Sequence, residues 1–93
     1  MKMHACIRGS QKTGKIDTTL MGYSSATLSL WAMLNTTSTK VSYVFDLETG
    51  DVVTICTGMK GRNFPEIERT PNANIEDIFP GICLALSEEV EPR

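Results

Sequence analysis

The sequence predicts a single small α+β domain in the order ββαββα, with a mostly antiparallel four-stranded sheet and two helices. Three observations predict this class. A chain of 93 residues has the length of one domain. Four short segments alternate apolar and polar residues, which is typical of half-buried strands. Two other segments place apolar residues at helical spacing.

The first two predicted strands form a hairpin. They cover residues of about 2–8 and 15–21, and in both segments apolar residues recur at every second position. Residues 9–14 between them are rich in Gly, Ser and Thr, which are turn-forming residues. We therefore expect these residues to form the hairpin tip.

The third and fourth predicted strands form a second hairpin, over residues of about 40–47 and 51–57. Gly50 lies in the turn between them, where a left-handed backbone conformation suits glycine. The reverse face of this hairpin also carries apolar residues, among them Val44 and Cys56. We expect a helix or another subunit to cover that face.

The first predicted helix covers residues of about 25–35. Ser24 precedes it and can accept a hydrogen bond from a free amide of the first turn. No glycine or proline interrupts the segment. The side chains at helical spacing, which we expect to face the core, are Thr27, Leu30, Trp31 and Leu34.

The second predicted helix covers residues of about 75–89 and breaks at Pro80, because proline cannot donate the helical hydrogen bond. Asn74 is a plausible cap at its start. Residues 58–73 show neither period. They predict an irregular loop, and a loop of that length in a small domain usually has a function or is mobile.

Charge is distributed unevenly. The net charge of −2 combines +4 in residues 1–40 with −6 in residues 41–93. Traced along the predicted strands, one end of the sheet collects five cations, Arg8, Lys12, Lys15, Lys60 and Arg62, which form the candidate anion-binding set. The opposite end collects Asp46, Glu48 and Asp51. Separated charges of this kind orient a partner during association.

Residues 9–15 match the phosphate-loop pattern G-x-x-x-x-G-K. Two features argue against nucleotide hydrolysis. Ile16 stands where a Ser or Thr would bind magnesium, and a strand follows where a helix N-terminus would face the anion. The weaker prediction that the tip binds some anion remains open.

The sequence predicts no enzyme, no metal site and no cofactor, because no nucleophile and base occur in a recognisable arrangement. The three cysteines, Cys6, Cys56 and Cys83, are too few and too far apart for a disulfide framework, which favours reduced thiols in the cytoplasm. The N-terminal residues lack the apolar stretch of a signal peptide, and no segment is long enough for a membrane span.

The leading interpretation is a non-enzymatic, acidic protein-interaction domain, such as a small inhibitor or immunity-type protein that neutralises a cognate partner. The carboxylates expected to contact that partner are Glu66, Glu68, Glu76 and Asp77. The alternative is a small-ligand or anion-binding module that uses the basic segments 8–15 and 60–62. A homodimer through the apolar reverse face is compatible with either, whereas nucleic acid is an improbable partner at an isoelectric point of about 5.3.

Overall fold

The computed structural model describes residues 2–10, 12–37, 39–60 and 64–90 of the chain. Its strands are β1 (His4–Gly9), β2 (Ile16–Gly22), β3 (Val41–Asp46), β4 (Val52–Lys60) and β5 (Phe64–Arg69). Its helices are α1 (Ser25–Asn35), α2 (Ile75–Ile78) and α3 (Ile82–Val90). The antiparallel sheet and the helices confirm the predicted α+β class, but the order is ββαβββαα rather than ββαββα.

The sheet has five strands, in the order β2-β1-β3-β4-β5, and every neighbouring pair is antiparallel. The predicted count of four strands is therefore wrong. The additional strand, β5, lies inside segment 58–73, which the sequence predicts to be irregular. Among the described strands it pairs with β4 and forms one edge of the sheet, whereas β2 forms the other edge.

The strand directions define two ends of the sheet. Both β1 and β4 pair antiparallel with β3, so they run in the same direction. The connection between β1 and β2 and the last residues of β4 therefore lie at one end, which we call the tip end. The connection between β3 and β4 lies at the opposite end, which we call the turn end.

Helix α1 covers one face of the sheet. Its residues Leu28 and Ala32 form a buried cluster with Cys6, Val44 and Cys56 of the strands. This is the reverse face of the β3–β4 hairpin, for which the sequence predicts a covering helix or subunit. Because α1 occupies it, this face is not open to a second copy of the chain as the interface of the predicted homodimer.

Helices α2 and α3 lie on the opposite face. Ile75 of α2, Leu86 of α3 and Phe79 between the two helices are buried in a second cluster that includes Tyr43 and Phe45 of β3. The rings of Tyr43 and Phe79 meet edge to face, with centroids 5.7 Å apart and an interplanar angle of 76°. The sheet is thus enclosed between one helix and a pair of short helices.

The side of α1 that faces the sheet differs from the predicted one. Thr27, Leu30 and Leu34 point away from the core, and Leu30 and Leu34 are 54% and 74% exposed. Trp31 is half-buried and packs beside the α1 cluster. The buried residues of the helix are Leu28, Ser29 and Ala32.

Hydroxyl groups bridge α1 to the sheet in the buried layer. Ser29 Oγ lies 2.8 Å from Thr54 Oγ1 on β4. Beyond the end of α1, Thr36 Oγ1 lies 2.6 Å from the carbonyl oxygen of Ala32 and 3.1 Å from Ser42 Oγ on β3. Buried hydroxyls need such partners. These contacts explain why polar residues occupy positions that face the sheet.

At the turn end, α2 is attached directly to the β3–β4 connection. Gly50 has φ +82°, and a Cβ atom there would lie 2.8 Å from Asn74 Oδ1. Asn74 caps α2 by accepting from the amide of Glu76, and it donates through Nδ2 to the carbonyl of Thr49 at 3.0 Å. The turn thus sets where α2 begins. None of the helices in the described ranges is long and apolar enough to cross a membrane.

Candidate functional site

Glu66 and Glu68 lie on the edge strand β5. They alternate with Ile67, so both project from the sheet face that also carries their cross-strand partners, Thr57 and Ile55. Both glutamates are exposed. Together with Thr57 and Ile67 they line a shallow cleft of about 300 Å³. The two carboxylates therefore form one acidic surface, which we call the β5 acidic face.

The β5 acidic face has no counter-ion among the described residues. The ion pairs between described residues are Lys2–Asp46, Arg8–Asp17 and Lys40–Asp17. Glu66 and Glu68 take part in none of them. Their charges are consequently presented to solvent.

Glu76 has a structural role that the sequence analysis did not foresee. Its carboxylate accepts from the backbone amides of Gly81 and Cys83, each at 2.9 Å. These hydrogen bonds hold the pKa of Glu76 below its ordinary value, and the bond from Cys83 has the larger effect. Glu76 therefore satisfies amides at the start of α3, a position without other helical partners. The sequence signal for this role is an acidic residue five positions before Gly81, in the Pro80-Gly81 pair that precedes α3.

Asp77 is exposed in α2, next to Glu76 in the chain. The four predicted contact carboxylates are therefore in different situations. Glu66 and Glu68 share the β5 acidic face, Asp77 lies on α2, and Glu76 is engaged by the backbone of α3. The structure brings only the first two together on one surface.

Arg8, from the candidate anion-binding set, is engaged within the protein. Its Nε donates to Asp17 Oδ1 at 3.1 Å, Nη1 to the carbonyl of Asn35 at 3.0 Å and Nη2 to Thr18 Oγ1 at 3.2 Å. The hydrogen bond from Arg8, with that from Lys40, lowers the pKa of Asp17 in spite of partial desolvation. Arg8 thus joins β2 to the end of α1 and has few donors left for a ligand.

Three of the four remaining members of the set, Lys12, Lys15 and Lys60, lie at the tip end. Lys12 and Lys15 are exposed on the β1–β2 connection. Lys60 is the last residue of β4, at the same end of the sheet. Arg62 lies outside the described residues. Lys12 and Lys15 are therefore the exposed cations whose placement supports anion binding.

The backbone of the hairpin tip is closed on itself. The amide of Gly14 donates to the carbonyl of Ser10, and the amide of Ser10 donates to that of Lys15. The amides of Thr13 and Lys15 lie within reach of the hydroxyls of Ser10 and Thr13. A phosphate loop instead directs its amides at the anion. Because Ile16 also begins strand β2 and not a helix, the tip differs from a phosphate loop in both respects.

A cleft lies between the hairpin tip and the α2–α3 connection. It has a volume of about 280 Å³ and is lined by Gly14, Ile16, Ala85 and residues 78–82. The lining is mainly apolar. The amides of Gly81 and Cys83 already donate to Glu76, so they are not free to bind an anion in this cleft. An anion here would depend on Lys12 and Lys15 for its charge partner.

The three cysteines are poor nucleophiles. Burial, with the nearby Cys56, raises the pKa of Cys6 to about 12. Burial also raises the pKa of Cys56, and burial together with the Glu76 carboxylate raises that of Cys83 to about 11. Cys6 lies on β1 and Cys56 on β4, and these strands are about 9–10 Å apart because β3 lies between them. That exceeds the ~7 Å reach of a disulfide.

The acidic residues at the turn end are not equivalent. Asp46 is only 5% exposed and accepts from the amides of Glu48 and Thr49 at 2.8 and 3.3 Å. Its second oxygen lies 3.3 Å from Lys2 Nζ. Glu48 and Asp51 are exposed. The predicted negative end therefore presents two carboxylates to solvent, and the third organises the turn.

Among the described residues, the carboxylates of the β5 acidic face are thus exposed, close to each other and without an ion-pair partner. Such a surface can attract and orient a basic ligand. Comparison with protein-family models, with curated proteins and with solved structures finds no match for this chain.

Proposed function

We propose that this protein is a non-enzymatic interaction domain that binds a basic surface of a cognate protein through the β5 acidic face. The observation that carries the proposal is the pair Glu66 and Glu68, exposed on one face of an edge strand beside a cleft and without a described counter-ion. A small inhibitor or immunity-type protein needs an exposed binding surface of this kind, because it must recognise one partner and performs no chemistry itself.

The geometry favours a partner with two neighbouring cations. Residues two apart on a strand are separated by about 6.8 Å. Each exposed ion pair contributes only about 0–1 kcal/mol, so Glu66 and Glu68 act mainly on orientation and association rate. The cleft that they share with Thr57 and Ile67 supplies an apolar and hydroxyl surface for the remaining contact.

Other features of the chain support a binding role in the cytoplasm. Thiols with raised pKa values are weak nucleophiles at neutral pH, which argues against cysteine chemistry. Cys6, Cys56 and Cys83 are all free thiols, as is usual in a reducing compartment. Several charged groups, among them Arg8 and Glu76, are engaged in holding the fold together.

Reversal of both charges on the β5 acidic face is expected to weaken partner binding strongly. The variant carries Glu66→Lys and Glu68→Lys. Lysines at both positions would repel the basic surface of the partner, because like charges opposite each other across an interface are strongly unfavourable. The measurement is quantitative mass spectrometry of proteins from the native host retained by the immobilised chain, followed by calorimetry with the purified partner. We expect a loss of at least tenfold in affinity.

A second double variant, Glu48→Lys with Glu88→Lys, is the matched control. Both glutamates are exposed and lie on other elements, so the net charge changes equally while the β5 acidic face stays intact. We expect this control to bind the partner as the unmodified chain does at physiological salt. Equal binding by the Glu66/Glu68 variant would refute the proposal, and equal loss in both variants would show that net charge alone matters.

Anion binding is the second candidate function, because exposed Lys12 and Lys15 lie on the β1–β2 connection, which also supplies Gly14 to the lining of the 280 Å³ cleft. A ligand that binds only the folded state raises its stability. We expect inorganic polyphosphate to raise the melting temperature of the unmodified chain, and the effect to disappear in Lys12→Ala with Lys15→Ala. Differential scanning fluorimetry measures it. A shift that persists in the variant, or no shift with the unmodified chain, would exclude the tip as the site.

A further inference from the structure

The two edges of the sheet differ in how they resist pairing with another strand. A free edge offers unpaired backbone groups, and proteins usually protect it with charges or proline. Strand β5 carries Pro65 together with Glu66, Glu68 and Arg69. Strand β2 has no charge and no proline from Thr18 to Gly22, and no described segment pairs with its outer side.

The one charged residue of β2 is neutralised within the protein. Asp17 lies 3.1 Å from Arg8 Nε and 3.3 Å from Lys40 Nζ. Its carboxylate therefore adds little repulsion along the edge. A strand that approaches β2 needs no complementary charge of its own.

The sequence of β2 is compatible with pairing to itself. In an antiparallel two-fold arrangement centred on Thr19, Thr18 faces Leu20 of the second copy and Asp17 faces its Met21. No charged residue then stands opposite a like charge. The same operation on β5, centred on Ile67, would place Glu66 opposite Glu68, and like charges directly opposite each other are destabilising.

Apolar side chains border this edge on the α1 face. Leu20 pairs with Cys6, a member of the α1 cluster, and is 38% exposed. Arg8 links the backbone carbonyl of Asn35, the last residue of α1, to Asp17 and Thr18 of β2, so the C-terminal end of the helix lies near this edge.

We propose that β2 pairs antiparallel with β2 of a second copy of this chain, which gives a continuous ten-stranded sheet. The two-fold axis would stand perpendicular to the sheet, so both α1 helices would lie on the same face. Because α1 packs mainly over β1 and β3, the helix axes would be about 19 Å apart. Direct helix packing needs 8–10 Å, so a groove remains between the helices, with Leu20 of each copy in its floor.

The proposed occupant is a second copy, because the antiparallel register centred on Thr19 brings β2 against itself with no like charges opposite each other, which the same operation on β5 does not. It is independent of the β5 acidic face, which stays at the outer edge of each copy and open to a partner. Failure of the dimer would therefore leave the proposed function untouched, and failure of partner binding would leave the dimer untouched.

Sedimentation equilibrium over a hundredfold range of concentration tests the dimer. We expect a mass of twice 10.2 kDa for the unmodified chain at the upper concentrations. Leu20→Lys places a charge on the α1 face beside its symmetry mate and is expected to weaken dimerisation at least tenfold. The matched control is Ile67→Lys on β5, whose side chain is 37% exposed on the same sheet face. It should leave the dimer constant within twofold.

Circular dichroism melts establish that both variants are folded. Hydrogen exchange provides a second readout, since dimerisation should slow exchange of β2 amides and leave β5 amides unchanged. A monomer at all concentrations would overturn the proposal, and would also be the result if β2 receives a strand from another protein. Loss of the dimer on Ile67→Lys with retention on Leu20→Lys would overturn it as well.

Discussion

Replacement of Gly9 by alanine is expected to destabilise the protein by about 2–3 kcal/mol, the usual cost of inserting an atom into a close-packed contact. Gly9 ends β1 at an irregularity of the β1–β2 pairing. A Cβ atom there would lie 2.5 Å from the carbonyl oxygen of Lys15 and 3.2 Å from Cα of Ile16. Because both neighbours are backbone atoms, the base of the hairpin would have to open.

The opening would also weaken the 3.0 Å hydrogen bond from the amide of Ser10 to the carbonyl of Lys15. Urea unfolding followed by circular dichroism measures the change. For a domain of this size, the expected loss corresponds to a fall in melting temperature of about 10–20 °C.

Gly22→Ala is the control for Gly9→Ala, because it makes the same chemical change in the partner strand of the same hairpin. A Cβ atom at Gly22 would have Leu28 Cδ2 at 3.9 Å as its nearest neighbour, which is an ordinary contact. We expect a change within about 0.5 kcal/mol. Equal destabilisation by the two substitutions would mean that loss of glycine flexibility, and not the contact with Lys15, determines the cost.

The strands with strong alternation could be predicted from the sequence. In β3, Tyr43 and Phe45 face the α2–α3 layer, while Val44 faces α1. Period two reports which residues share a face, and the direction of each strand then follows from the connections. The α+β class and the two ends of the sheet could therefore be obtained without coordinates.

Strand β5 could not be predicted in this way. Pro65, Glu66 and Glu68 are residue types depleted in strands, and Phe64 and Ile67, which are typical of sheets, stand three positions apart and so do not alternate with period two. An edge strand tolerates them because one of its sides is free of hydrogen-bonded neighbours. The missing alternation reflects the position of β5 in the sheet, which depends on the tertiary structure.

Hydrophobicity alone predicts the wrong side of α1 to face the sheet. Leu30 and Leu34 are the more apolar residues, yet Ser29 and Ala32 face the sheet. Small side chains allow the helix to approach closely, and Ser29 finds a partner in Thr54. A buried serine contributes to such an interface only when a hydroxyl lies opposite, and that match cannot be read from one segment.

The candidate site shows a similar division. Exposure of Glu66 and Glu68 agrees with their polar character. The engagement of Arg8 by Asp17 and Asn35, and of Glu76 by the start of α3, depends on residues distant in the chain. A charge count cannot distinguish a cation that is held internally from one that is free for a ligand. This is why the candidate anion-binding set of the sequence reduces to Lys12 and Lys15 among the cations whose side chains are described.

Asp46→Ala is expected to destabilise the protein by about 2–4 kcal/mol, because two backbone amides of the turn would lose the charged acceptor that the buried Asp46 provides. Asp46 ends β3 and accepts from the amides of Glu48 and Thr49. Asp46→Asn is the matched comparison, since its amide oxygen can still accept from both. We expect a loss of about 1 kcal/mol for it, because only the charge and the pairing with Lys2 disappear. Equal losses in the two variants would show that the charge, and not the acceptor, organises the turn.

The unmodified chain and Asp46→Asn should also differ in how their stability depends on pH. Burial raises the pKa of Asp46, but the amides of Glu48 and Thr49 and the ammonium of Lys2 outweigh it, so the pKa lies below the ordinary 3.8. A lowered pKa in the folded state contributes stability that is complete above the unfolded pKa, from about pH 5 upward, and is lost as the pH falls through the folded value. Urea unfolding between pH 7 and pH 2.5 measures how much more stable the unmodified chain is than Asp46→Asn. We expect this difference in the free energy of unfolding to be constant above pH 5 and to decline below pH 3.8. Asp17 and Glu76, whose pKa values are also lowered, titrate in both proteins and cancel in the difference. An advantage that stays constant down to the lowest pH would mean that Asp46 stabilises the turn without its charge.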